Sequence, residues 1–149
     1  MSNKKELKRI REKINELDAE LLKLINQRSS LAIEAGEAKE DEVIYKPERE
    51  ANILRNLKKN NPGPLNKEQI SNIFKEIISS CRAQEDQLDV AFLGPEGTYS
   101  DSAVKKNFGS SVNKSATETI KDVFKAVTDR KSDYGIVPIE NSTEGPINQ

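Results

Sequence analysis

The 149-residue chain carries 24 basic and 25 acidic residues, a formal net charge of −1, with 33% charged and 34% apolar residues. The two signs are well mixed, so no global field draws it to nucleic acid or to an anionic membrane, and no stretch approaches the ~20 apolar residues that span a bilayer. One cysteine, Cys81, excludes an intramolecular disulfide framework, and the absence of histidine removes the commonest metal ligand and the usual acid-base group near neutral pH. Any chemistry must therefore use Arg, Lys, Glu, Asp, Ser, Thr or the backbone.

The N-terminus, MSNKKELKRI, has no apolar run behind its lysines, which points to a cytoplasmic protein. Residues 4–39 then form one long helical pattern. Leu7, Ile10, Ile14, Leu17, Leu21, Leu24, Arg28 and Leu31 follow one another at steps of three and four. This is a heptad seam with a permanent cation at one core position. A second helix opens at Pro47, where a missing N–H costs little, and NPGP at 61–64 ends it. Asn66 with Gln69 makes a capping-box start for a third helix, whose apolar face is Ile70, Ile73, Phe74, Ile77, Ile78 and Cys81, with Glu85 one turn further on. Residues 1–87 thus read as an all-α unit of three helices.

From residue 88 the pattern changes. DVAFLG is a short apolar strand ending in a Gly-Pro loop, and SDSAVKKNFG is a short helix stopped by Gly109. ETIKDVFKAVTDRK is an amphipathic helix, and YGIVPI is a further strand. Strand, helix, helix, strand predicts the opening of an α/β unit with a parallel sheet over 88–149.

A 36-residue helix is about 54 Å long, whereas a compact body of some 87 residues has a radius of gyration near 12 Å. The helix overhangs any monomeric core, so its seam is expected to pack on a second copy about a two-fold axis. Arg28 and Lys39, 11 residues apart, emerge on nearly one face about 16 Å apart and can approach one small ligand. Arg11 lies 28 residues from Lys39, about 42 Å along the axis, and reaches such a ligand only if an antiparallel partner helix carries it there. Arg49 and Glu50 on the second helix and Glu85 on the third, one turn beyond Cys81, complete the polar groups on buried sides. Each also has a structural reading: Arg28 snorkelling or paired, Glu50 a solvated helix residue, Glu85 a fraying end. A non-catalytic helical dimerisation module and a small-molecule-binding regulatory fragment therefore stay open on spacing alone.

REKINELDAELLKLINQRSSLAIEAGEAK, then YKPEREANIL, then IFKEIISSCRAQE resemble the all-helical chorismate mutases over essentially all of residues 5–86. The resemblance implies an intertwined homodimer of three-helix subunits that turns chorismate into prephenate with no cofactor, no metal and no covalent intermediate. It implies that Arg11, given in trans, and Arg28 grip the substrate's carboxylates, that Lys39 and Glu85 face the breaking ether oxygen, and that Arg49 and Glu50 position the ring and its hydroxyl. A planar guanidinium in the seam then makes sense, because it binds a carboxylate bidentately. Two positions depart from well-known members: Glu85 stands where many have glutamine, and Cys81, a substrate-binding position by this match, where many have serine. A carboxylic acid donates a hydrogen bond and a carboxylate does not. The expectation is a rate that falls as pH climbs and a flatter profile for Glu85→Gln. Lys46 stands where relatives often have aspartate, which leaves its part in holding the substrate open.

VAFLGPEGTYSDSA and YGIVPIENSTEGPI are similar to two signature stretches of prephenate dehydratases, and the order of the two parts resembles the bifunctional proteins of phenylalanine biosynthesis. That resemblance implies a periplasmic-binding-protein-like unit in which Thr98, Ser100, Glu140, Asn141 and Ser142 line a prephenate cleft. Its threonine-arginine-phenylalanine motif is not found before Gln149, so a polypeptide of these residues is expected to lack dehydratase turnover.

Overall fold

A computed structural model describes residues 2–38, 45–141 and 145–146. Helices α1 (Ser2–Glu37), α2 (Pro47–Asn60) and α3 (Lys67–Arg82) come first. They are followed by β1 (Asp89–Leu93), α4 (Tyr99–Phe108), β2 (Asn113–Thr117), α5 (Ile120–Thr128) and β3 (Tyr134–Ile136). A minimal antiparallel pair, β4 (Glu140–Asn141) and β5 (Gly145–Pro146), closes the series.

The long helix stands largely clear of its own chain. Every residue from 3 to 27 is exposed, including the seam, where Leu17 is 58% and Leu21 54% open to solvent. Partial cover begins at Arg28, near where α1 meets α3. Pro47 opens α2 as the sequence predicts, with Glu48 and Glu50 in the first turn and Lys58 and Lys59 in the last, each sign on the favourable end of the helix dipole. The capping box of α3 is complete: Asn66 Oδ1 accepts from Gln69 N–H and Gln69 Oε1 accepts from Asn66 N–H, both at 2.9 Å. Helix α3 ends at Arg82, so Glu85 sits in a turn rather than on the helix, its N–H donating to the Arg82 carbonyl at 2.9 Å.

In the second half β1 is the centre of a three-stranded parallel sheet in the order β2-β1-β3. Strand β2, NKSAT, is absent from the sequence reading, because it is a polar, mostly exposed edge strand without apolar alternation. Val90, Ala91 and Phe92 are fully buried, as expected of a strand covered on both faces. Val90 and Phe92 pack with Val104 and Phe108 of α4. On the opposite face Gly135 leaves room for Val123 of α5, whose Cγ1 lies 2.7 Å from where a Cβ would stand. Gly109 stops α4 with φ +82°, as the sequence predicts.

The largest core therefore belongs to the α/β part, and it draws in a residue from the helical part. Tyr45, just before α2, is buried in the same cluster as Leu88, Phe108 and Val112, edge-on to Tyr134 at 5.1 Å and tilted against Phe108 at 5.6 Å. Burial, reinforced by Glu50, holds the Tyr45 phenol above its ordinary pKa, and burial, reinforced by Asp133, does the same for Tyr134. The folded chain thus keeps these protons longer than the unfolded chain, so stability is intact below pH ~10 and falls as pH rises past it. A thermal-melting series across the alkaline range is expected to show that loss, and Tyr45→Phe is expected to flatten part of it.

Candidate active site

At the junction of α1, α2 and α3 lies a half-open cavity of about 360 Å³. Arg28, Leu31, Ala32 and Ala35 line it from α1; Arg49, Glu50 and Ile53, with Lys46 just before them, from α2; Ile78, Cys81 and Arg82, with Glu85 just after them, from α3. Helices α1 and α2 both pack on α3, and polar side chains from all three elements interrupt their apolar stripes at that junction. The wall carries four cations, Arg28, Lys46, Arg49 and Arg82, against two carboxylates, Glu50 and Glu85. That excess of positive charge suits a small anion, and Leu31, Ala32, Ala35, Ile53 and Ile78 supply apolar wall for a ring.

Of the residues singled out from the sequence, Arg28, Arg49, Glu50, Cys81 and Glu85 come together here. Arg11 does not. It lies on the exposed part of α1, 17 residues before Arg28, about 26 Å along the axis. Lys39 lies outside the described residues. Glu85 reaches the cavity across the backbone of Gly36: its Cδ is 3.0 Å and its Oε2 3.3 Å from where a Cβ on that glycine would stand. Gly36 is the last residue but one of α1, and the absence of a side chain there gives Glu85 its room.

Arg82 was not singled out from the sequence, though the signal was there: it follows Ile78 by four residues on the apolar stripe of α3, the same anomaly that marks Arg28. It is 6% exposed. Nη1 donates to Glu50 Oε1 in an ion pair, Nη2 donates to the Phe108 carbonyl at 2.8 Å, and the guanidinium lies 4.7 Å from the centroid of the Tyr45 ring. Arg82 is buried and Glu50 only partly so, at 22% exposure, so loss of Glu50 strands a cation that solvent reaches poorly.

The loop after β1 is pinned separately. Thr98 caps α4, its hydroxyl accepting from Asp101 N–H at 3.4 Å, and Ser100 is buried in the first turn. Asp101 accepts from Gly97 N–H at 2.8 Å and from Lys114 Nζ at 2.6 Å. The Lys114 hydrogen bond holds the Asp101 carboxyl below its ordinary pKa, and the same bond raises that of Lys114. Glu140 and Asn141 form β4, paired with β5, and Ser142 lies outside the described residues.

The profile of type II chorismate mutases matches residues 10–86, and that of prephenate dehydratases matches residues 90–149. The chain belongs to the type II chorismate mutase family. Its prephenate dehydratase match begins four residues after the mutase match ends, close to the change of pattern read from the sequence. Bifunctional chorismate mutase/prephenate dehydratases are similar to it along nearly the whole chain. That of Stutzerimonas stutzeri is 43% identical over 155 residues, covering 99% of this chain and 42% of the relative. That of Neisseria gonorrhoeae is 43% identical over 137 residues, covering 92% and 38%, and that of Aquifex aeolicus 39% over 149 residues, covering 96% and 41%. The chain thus spans about two fifths of the length of these relatives. No described helix is long and apolar enough to cross a membrane.

Proposed function

We propose that the three-helix cavity is a chorismate mutase site, converting chorismate to prephenate by a pericyclic rearrangement in which the ether C–O bond breaks as a C–C bond forms. The observation that carries this reading is the convergence of Arg28, Arg49, Glu50, Cys81 and Glu85, from three helices, on one cavity of small-molecule size. No proton has to move between protein and substrate, so a protein without histidine loses nothing. The protein confines a flexible dianion in its reactive shape and aims donors at the oxygen that gains charge. Arg28 binds one carboxylate, Arg49 and Glu50 position the ring and its hydroxyl, Cys81 borders the substrate, and Glu85 with Lys39 faces the ether oxygen.

Arg11 enters from a second copy. The open seam of α1 supports this, since Leu7, Ile10, Ile14, Leu17, Leu21 and Leu24 are about half exposed in one copy and find cover when two α1 helices pair antiparallel. The domain division is 1–87 for the mutase and 88–149 for the opening of a periplasmic-binding-protein-like dehydratase unit. There Thr98, Ser100, Glu140, Asn141 and Ser142 belong to a prephenate cleft, in keeping with a loop at the carboxyl end of a parallel strand. The setting is cytoplasmic phenylalanine biosynthesis, with chorismate and prephenate as the small-molecule partners and neither cofactor nor metal required.

The test is loss of chorismate absorbance with the purified chain; no loss above the uncatalysed rate contradicts the reading. Gly36→Ala offers a finer probe. The new methyl pushes the Glu85 carboxyl, a flexible end that can move, by a few tenths of an ångström, so the fold is expected to survive. The expected outcome is a melting temperature held or raised together with a kcat/KM about tenfold lower.

A further inference from the structure

Arg82 ties the cavity to the α/β part of the chain, and it does so within a continuous docking surface. Down one side of α3, Lys75 Nζ donates to the Lys106 carbonyl at 2.9 Å, Glu76 accepts from Ser110 N–H at 3.2 Å and from the Ser110 hydroxyl at 3.1 Å, and the Ser79 hydroxyl accepts from Ser111 N–H at 3.2 Å. Gly109 lies so close that a Cβ there would stand 2.4 Å from that of Ser79, and its φ of +82° is one that favours glycine. The end of α4 is thus held rigidly against α3, and the Phe108 carbonyl is presented to Arg82 as a fixed acceptor.

The guanidinium is consequently over-determined: one nitrogen is anchored on the Phe108 carbonyl, its face lies over Tyr45, and the other nitrogen holds Glu50. A planar fork with two separate acceptors transmits position in a way a lysine ammonium on a flexible stem does not. Glu50 is the cavity's carboxylate from α2, and Arg82 is its ion-pair partner.

We propose that Arg82 is a positioning residue for the rearrangement: anchored on the end of α4, it fixes the Glu50 carboxylate in the cavity, so that the docked α/β segment sets the geometry of the mutase site. The inference rests on the reading of the cavity as a mutase site. It makes residues 106–111, none of which lines the cavity, part of what holds the site in shape.

The experiment compares the full chain with Arg82→Met, Arg82→Lys, Glu50→Gln, the Arg82→Met/Glu50→Gln pair and Gly109→Ala, following chorismate loss and checking fold by circular dichroism. Arg82→Met is expected to lower kcat/KM about tenfold, and Arg82→Lys, which keeps the charge but not the fork, to recover only part of it. On a Glu50→Gln background Arg82→Met is expected to add little, because the two act as one unit. Gly109→Ala, which prises the end of α4 from α3, is expected to shift kcat/KM in the same direction. If Arg82→Met does not fold, Arg82→Lys and Gly109→Ala carry the test. Wild-type kcat/KM in the folded Arg82 variants, full additivity with Glu50→Gln, or a folded Gly109→Ala of unchanged kcat/KM overturns the proposal. An inactive wild-type chain instead overturns the underlying reading.

Discussion

Arg28→Ala is expected to lower kcat/KM for chorismate by about a hundredfold to a thousandfold, the ~3–4 kcal/mol that one preorganised charged donor contributes in a water-poor site. Stability is expected to move the other way or not at all. Arg28 occupies a position whose spacing calls for leucine and carries a charge into the junction of three helices, so Arg28→Leu should melt at or above the wild-type temperature while losing the same activity. Arg28→Lys separates two contributions: it keeps the cation and gives up the planar fork, and an intermediate loss identifies bidentate recognition. A snorkelling arginine with no ligand makes the opposite pattern, with activity unchanged in all three variants as followed by chorismate absorbance.

Leu17→Asp combined with Leu21→Asp is expected to convert the protein to a monomer and to abolish mutase activity. Both residues are more than half exposed in a single copy, and completing their burial in a symmetric pairing is worth about 5 kcal/mol across the two copies. Aspartate at both positions forfeits that and sets carboxylates against one another in the seam. Residues 3–27 of α1 contribute no buried side chain to the rest of their own chain, so the folded α/β core and the α3 docking surface should survive. Sedimentation reads whether the proposed dimer is lost, and retained far-ultraviolet dichroism shows that the fold outlasts it.

Periodicity and punctuation made most of the helical part legible. The seam, Pro47, the NPGP break and the Asn66–Gln69 capping box are local signals whose physics acts within a few residues, and each element formed where those signals place it. Cavity residues were visible when they broke a pattern, as Arg28 does in its seam. Arg82 broke a pattern too, but its meaning depends on Phe108, 26 residues further along, and on Tyr45, 37 residues back, which no local rule brings together. The same holds for Gly36, whose function is to leave space for Glu85. Strand β2 escaped because its pairing with β1 is specified by the sheet and not by its own polar sequence. Glu85 was placed on a helix that in fact ends at Arg82, yet the turn still delivers it to the cavity.

Co-refolding equal amounts of Arg11→Ala and Arg28→Ala chains tests the shared site most directly. If each cavity takes Arg28 from one copy and Arg11 from the other, every mixed dimer has one intact cavity and one doubly defective one. Random pairing then restores about a quarter of wild-type activity from two nearly inactive preparations. A mixture no more active than its two components contradicts a site built from both chains.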